Sequence, residues 1–134
     1  MSQNKAPLWP TDEEQGMIKE FLLLPLVLTV FERDTEVIGN NVKTKAPYVE
    51  AIALAMDRVT LNLAGLKKEF RLRGIKVFDG VRTEHGIRCS YLCRGYENQF
   101  DLMWTYVKAE VELRMKHYLG THLEVYLSHK TKLK

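Results

Sequence analysis

The clearest pattern in this 134-residue chain is a run of seven apolar residues spaced three or four positions apart. They are Val49, Ile52, Met56, Val59, Leu63, Leu66 and Phe70. A mean spacing of 3.5 residues places all seven side chains on one stripe of an α-helix. Because folded proteins bury such a stripe, the sequence predicts that this helix packs against the rest of the chain or against a second copy.

An earlier helix is predicted to begin at Thr11, which can form a capping box with Glu14. Its centre, residues 21–31, is apolar on every side, which is typical of a helix that neighbours cover all round. Pro25 removes one backbone hydrogen bond, so we expect a kink or a short break near Leu24. Residues 21–31 are expected to lie either at the centre of a helical bundle or at a homodimer interface.

The apolar spacing changes from helical to alternating after Gly74, and this change predicts a β-hairpin. Its strands are residues 75–82 and 87–94, joined by a turn that contains a glycine. A third helix is expected over residues 97–119, with Phe100 on its apolar side.

These elements predict an α+β fold that is mainly α, in which the first of three long helices is kinked at Pro25 and a β-hairpin joins helices 2 and 3. The length fits a single domain over residues 1–134. Residues 1–10 are expected to form a flexible N-terminus and residues 121–134 a weakly ordered basic tail.

Composition and hydropathy favour a cytosolic protein over a secreted or membrane protein. The N-terminus is polar and then acidic, without the pattern of a secretory signal. The longest uncharged apolar stretch, residues 21–31, is too short for a membrane span, which needs about 20 residues. The two cysteines fit a reducing compartment. We therefore expect a cytoplasmic location and no membrane partner.

Candidate catalytic and metal-binding groups are sparse. Cys89 and Cys93 lie four positions apart in a predicted strand, where strand rise separates them by roughly 13 Å, so they are interpreted as small core residues. No spacing of histidines or carboxylates matches a familiar metal site, and no nucleotide-binding glycine motif occurs. The sequence therefore predicts no catalytic residues, no cofactor and no metal, and the protein is not expected to be an enzyme.

A basic region is the one feature with a functional alternative. It begins near the end of helix 2 and continues through the hairpin, and its members are Lys67, Lys68, Arg71, Arg73, Lys76, Arg82, Arg88 and Arg94. A basic hairpin beside a helix can contact a phosphate backbone. The formal net charge of +3 is low for a nucleic-acid binder, so a solvated basic face is the favoured interpretation.

Three segments carry a family resemblance: residues 24–34 (LPLVLTVFERD), residues 68–77 (KEFRLRGIKV) and Arg94-Gly95-Tyr96. Their order resembles small uncharacterised cytoplasmic proteins of Bacillus-type Firmicutes. The resemblance implies a bacterial cytosolic origin and brings no activity, cofactor or site residue with it.

The functional expectation is a non-enzymatic interaction or regulatory protein with a helical-bundle scaffold. It is expected to form a homo-oligomer, a homodimer in the simplest case, through residues 21–31, and to bind an unidentified protein partner. The alternative is a nucleic-acid-binding regulator that uses the basic end of helix 2 and the hairpin.

Overall fold

The computed structural model describes residues 9–120. The elements in chain order are α1 (Asp12–Asn41), α2 (Ala46–Arg73), β1 (Ile75–Val77), β2 (Val81–Arg82), β3 (Gly86–Cys93), β4 (Tyr96–Met103) and α3 (Trp104–Leu119). This architecture confirms the predicted fold class of three helices with β-structure between the second and the third. The tail predicted over 121–134, and residues 1–8 of the predicted flexible N-terminus, lie outside the described residues.

Helix α1 begins with the predicted capping box. The Glu14 amide donates to Thr11 Oγ1 at 3.2 Å, and the Thr11 amide donates to Glu14 Oε1 at 3.1 Å. The helix then continues through Pro25 to Asn41, so the alternative of a break near the proline is wrong. Thr29 Oγ1, one turn later, donates to the Pro25 carbonyl at 3.1 Å.

The apolar centre of α1 lies inside the bundle. Leu23, Leu24, Val27 and Phe31 are at most 1% exposed, and they pack with buried residues of α2, α3 and the sheet. Within residues 21–31 the exposed positions are Pro25 and Thr29. Of the two arrangements expected for this segment, the structure shows the bundle centre.

Helix α2 buries the predicted stripe against α1 and α3. Ile52, Val59 and Phe70 are buried, and the other four stripe residues are half-buried. The Phe70 ring meets the Phe21 ring of α1 edge-on, with 5.3 Å between centroids. On the α3 side, Asn62 Nδ2 donates to the Tyr118 hydroxyl at 2.6 Å.

The sheet is antiparallel, and β3 is its central strand. Strand β4 pairs with β3 along its full length, so β1 and β2 share the opposite edge of β3. The face that carries Ile87, Cys89 and Tyr91 is buried, as the hairpin pattern predicted. Together β2 and β3 confirm the hairpin and its turn at 83–86.

The predicted start of the third helix is wrong, because residues 96–103 form β4 and the helix begins only at Trp104. A two-residue loop joins β3 to β4, and both of its residues have positive φ, 50° at Arg94 and 87° at Gly95. Such loops match the natural twist of paired strands. Phe100 pairs with Cys89 across the ladder, and its side chain therefore packs as part of the sheet.

Candidate functional site: a groove between α1 and α3

An open groove of about 1070 Å³ lies between the second half of α1 and the whole length of α3. Its floor is apolar and comprises Leu26, Val30, Val107, Val111 and Met115. Two of these residues, Leu26 and Val30, come from the segment that the sequence marked as apolar on every side. The groove therefore follows a partly open edge of that segment.

The β2–β3 turn positions an aromatic residue in the groove wall. Trp104 Nε1 donates to the Thr83 carbonyl at 3.0 Å, and the Trp104 amide donates to the His85 carbonyl at 3.1 Å. Gly86 is required in this turn because a Cβ there would lie 1.9 Å from the Leu102 carbonyl oxygen. The Arg82 guanidinium lies 5.6 Å from the Trp104 ring centroid, a cation–π arrangement.

Charged side chains line the groove beside its apolar floor. The cations are Arg33, Arg82, Lys108 and Lys116, and the carboxylates are Asp34 and Glu112. Arg33 already pairs with Asp34, with 3.2 Å between Nη2 and Oδ1. Glu112 lies one helical turn from both Lys108 and Lys116. The remaining balance is positive, so the groove favours a ligand that is apolar on one side and acidic at its flanks.

The sequence did not mark this groove as a site. The sequence indicated an apolar side of the third helix, but no binding role was assigned to the charged residues beside it. The signal in the sequence is the four-residue spacing of Trp104, Lys108, Glu112 and Lys116, which places them on one side of the helix. Arg82 is distant from these four residues in the sequence and lies beside them only in the folded chain.

The structure divides the eight predicted nucleic-acid-contacting residues into two groups. Within residues 9–120, carboxylates form ion pairs with Arg73, Arg88 and Arg94. Exposed side chains make up the second group: Lys67, Lys68, Arg71, Lys76 and Arg82. Of these five, Arg82 stacks on Trp104 and Lys76 lies 5.4 Å from the Phe78 ring centroid. The charge that the basic face can offer a phosphate backbone is thus smaller than the sequence suggested.

Arg94 joins three parts of the fold. Its guanidinium donates to both Glu14 carboxylate oxygens, at 3.3 and 2.9 Å, to the Arg73 carbonyl at 2.9 Å and to the Trp9 carbonyl at 3.3 Å. Its own amide donates to the Gly74 carbonyl at 2.7 Å. Hydrogen bonds from Arg94 hold the pKa of Glu14 below its ordinary value, although burial acts in the opposite direction. This residue therefore ties the β3–β4 loop to the start of α1 and the end of α2.

Both cysteine thiols lie in the core. Cys89 and Cys93 are fully buried and unbonded to each other, which confirms their interpretation as core residues. Burial raises the pKa of Cys89 to about 11 and also raises the pKa of Cys93, so both thiols stay protonated at neutral pH. Among residues 9–120, no group of three His, Cys, Asp or Glu side chains converges as a metal site would require.

Comparison with known proteins decides the family. The family model described as YhjD protein matches residues 9–123, which is most of the chain. The chain belongs to the YhjD family. This finding confirms the resemblance to a Bacillus-type protein family.

One curated relative shows how far the YhjD similarity extends. It is an uncharacterised protein YhjD of Bacillus subtilis (strain 168), 27% identical over 109 residues that cover 81% of this chain and 91% of the relative. No solved structure matches the chain. The part matched by the YhjD family begins at Trp9, whose carbonyl accepts a hydrogen bond from Arg94.

The three segments that carried the resemblance to the YhjD family lie in three different parts of the fold. Residues 24–34 form the centre of α1 and one wall of the groove, residues 68–77 join α2 to β1, and Arg94-Gly95-Tyr96 form the β3–β4 loop. Across residues 9–120, none of the helices combines the length and hydropathy that a membrane span requires.

Proposed function

We propose that this protein is a non-enzymatic interaction protein whose α1–α3 groove receives an amphipathic segment of a partner protein. The observation that carries the proposal is the groove itself, with an apolar floor of five side chains and a positively charged border. Helix-in-groove recognition uses this combination, because the floor provides affinity and the charges set orientation and specificity. The partner segment is expected to be apolar on one side and acidic at its flanks.

Several features support a binding role over a catalytic one. The groove residues that could carry protons are surface lysines, arginines and two carboxylates that stand beside cations. The two thiols are buried away from solvent. We place the protein in the bacterial cytosol, where free thiols such as Cys89 and Cys93 persist. A regulatory role would follow if the bound segment belonged to a protein whose activity changes on binding.

Groove binding can be followed through Trp104. The chain has two tryptophans, so a Trp9→Phe variant leaves Trp104 as the one fluorescent indole. We expect its emission to shift to shorter wavelength when an amphipathic helical peptide flanked by glutamates covers the groove. A peptide with the same apolar face and lysine flanks should bind about tenfold more weakly.

Three variants in the Trp9→Phe background test where the peptide lies. Val30→Glu places a charge in the floor and should weaken binding by about a hundredfold. Lys108→Glu with Lys116→Glu leaves the floor intact and should reverse the preference between the two peptides. Leu113→Glu, which changes an exposed leucine outside the groove, should bind like its parent. Equal binding of both peptides by all variants would refute the proposal.

The alternative function, nucleic-acid binding, rests on the exposed cations near the end of α2. Lys67, Lys68 and Arg71 are exposed, and no ion pair within residues 9–120 involves them. A mobility-shift measurement on arbitrary DNA and RNA at about 50 mM salt separates the two functions, because phosphate contacts are strongest at low salt. We expect no shift. A shift that Lys68→Glu abolishes would favour the alternative.

A further inference from the structure

One edge of strand β4 has no strand partner within residues 9–120. Strand β3 pairs with the other edge of β4 along its whole length, while β1 and β2 pair with the far side of β3. Strand β4 spans Tyr96–Met103 and is longer than most strands. A long edge strand presents a row of backbone amides and carbonyls that can pair with a strand of another chain.

The hydrogen bonds of the sheet show which residues of β4 face this free edge. Directly opposed residues of an antiparallel pair exchange either two backbone hydrogen bonds or none. The Trp104 amide donates to the His85 carbonyl at 3.1 Å, so even-numbered residues here point their backbone groups to β3. Ser90, opposite Gln99, instead accepts from the Phe78 amide on the far side of β3, at 3.0 Å. The backbone groups that face the free edge therefore belong to Glu97, Gln99, Asp101 and Met103.

This edge lacks the usual features that prevent strand pairing. Natural edge strands are often blocked by a proline, a lysine or a bulge, and Tyr96–Met103 contain none of the three. One of the two carboxylates of β4, on Asp101, is already paired with Arg88 at 2.9 Å. The outward amide of Gln99 donates to the neighbouring Asn98 Oδ1 at 2.8 Å, a local contact that an incoming strand can replace.

The side chains of β4 favour a second copy of β4 as the partner. Two strands related by a two-fold axis run antiparallel, and their outward residues must face each other. Two such registers overlap most of the strand, one centred on Gln99 and one centred on Phe100. The first sets Glu97 opposite the second copy's Asp101, which brings two carboxylates together. The second sets Gln99 opposite that Asp101, so that the amide can donate to the carboxylate, and places the two Phe100 side chains opposite each other.

We propose that two copies of this chain pair through the free edges of β4, with the two-fold axis at Phe100. Residues 97–103 of each copy form the contact, and the two four-stranded sheets become one continuous sheet. Phe100 is half-buried in one chain, and in the dimer its ring contacts the same ring of the second copy. Cross-strand aromatic pairs of this kind stabilise antiparallel sheets.

This surface differs from the one expected from sequence. Residues 21–31 were predicted as the homodimer interface, but their apolar side chains are mostly covered within one chain, and self-association through them stays a prediction. The free edge of β4 also contributes no residue to the α1–α3 groove. The dimer and the groove function can therefore fail independently.

Mass measurement by light scattering or sedimentation at about 50 µM tests the pairing. We expect twice the 15.6 kDa mass of one chain. Gln99→Pro removes an outward amide that the pairing of β4 with β3 does not use, and it should weaken the dimer by about a hundredfold. The matched control is Gln99→Ala, which changes the same side chain but keeps the amide and should remain a dimer. Circular dichroism shows whether each variant is folded.

Gln99→Lys tests the register and does not depend on the proline variant. In the register centred on Phe100 it sets an ammonium opposite the second copy's Asp101, and should strengthen the dimer by about threefold. In the register centred on Gln99 the two lysines would lie opposite each other and weaken the dimer. A wild-type monomer, a dimer that survives Gln99→Pro in a folded protein, or a dimer that Gln99→Lys weakens would each overturn the proposal.

Discussion

Arg94→Ala is expected to lower the free energy of unfolding by about 3 kcal/mol, because it leaves the carboxylate of Glu14 buried without its main partner. Glu14 is 4% exposed. The effect should fall at the low end of what breaking a buried ion pair costs, since Arg73 Nη1 still lies 3.5 Å from the Glu14 carboxylate. Chemical denaturation at neutral pH measures it.

The same variant has a predictable pH dependence. In the folded protein the pKa of Glu14 lies below its ordinary value of 4.5. The ionised carboxylate therefore makes its full contribution to the free energy of unfolding above pH 4.5. The contribution is lost as the pH falls from 4.5 towards the lowered folded pKa, where the carboxylate becomes protonated. The difference in free energy of unfolding between wild type and Arg94→Ala should therefore become smaller in acid.

Arg88→Ala is the matched control for Arg94→Ala. Arg88 also pairs with a carboxylate, Asp101 at 2.9 Å, but the two side chains are 50% and 60% exposed. Exposed ion pairs contribute little to stability, so this variant should change the unfolding curve only slightly. If both variants lose the same free energy of unfolding, the Arg94–Glu14 ion pair contributes no more to stability than an exposed ion pair does.

Leu23→Ala is expected to lower the free energy of unfolding by about 3–5 kcal/mol, since it opens a cavity at the centre of the bundle. Leu23 has no exposed surface. The control is Leu113→Ala on α3, where the leucine is 61% exposed and the loss should stay below about 0.5 kcal/mol. Denaturant titration of both variants gives the comparison. A small loss for Leu23→Ala would mean that the apolar centre of α1 is not packed within one chain.

Local sequence patterns predicted much of the fold. The Thr11–Glu14 capping box depends on residues three positions apart, and the buried stripe of α2 depends on a spacing that only a helix turns into one face. The turn at 83–86 and the β2–β3 pairing also depend on neighbours in sequence. These features form as predicted because short-range geometry determines them.

The start of α3 was mispredicted because two periodicities overlap. Phe100, Trp104, Val107 and Val111 fit a helical face, which concealed the strand before Trp104. The two-residue loop at Arg94 and Gly95 was the signal for a second hairpin, since Gly95 readily adopts positive φ. Residues 96–103 then pair with the full length of β3. This pairing outweighs any local preference of these residues for a helix.

The groove and the contacts of Arg94 could not be predicted from local sequence patterns. Arg94 and Glu14 stand 80 positions apart in the chain, and the sequence assigned Arg94 to a basic surface. The groove combines α1, α3 and the end of β2, so it exists only after the helices pack.

Trp104 emission in the Trp9→Phe protein shows directly whether a peptide binds in the open α1–α3 groove. We expect the emission to shift to shorter wavelength with the acidic amphipathic peptide and to respond less to the basic peptide. When Val30→Glu is added, we expect no response to either peptide at the same concentrations. Emission of the Trp9→Phe protein that stays unchanged with both peptides, or that responds equally after Val30→Glu, would contradict binding in this groove.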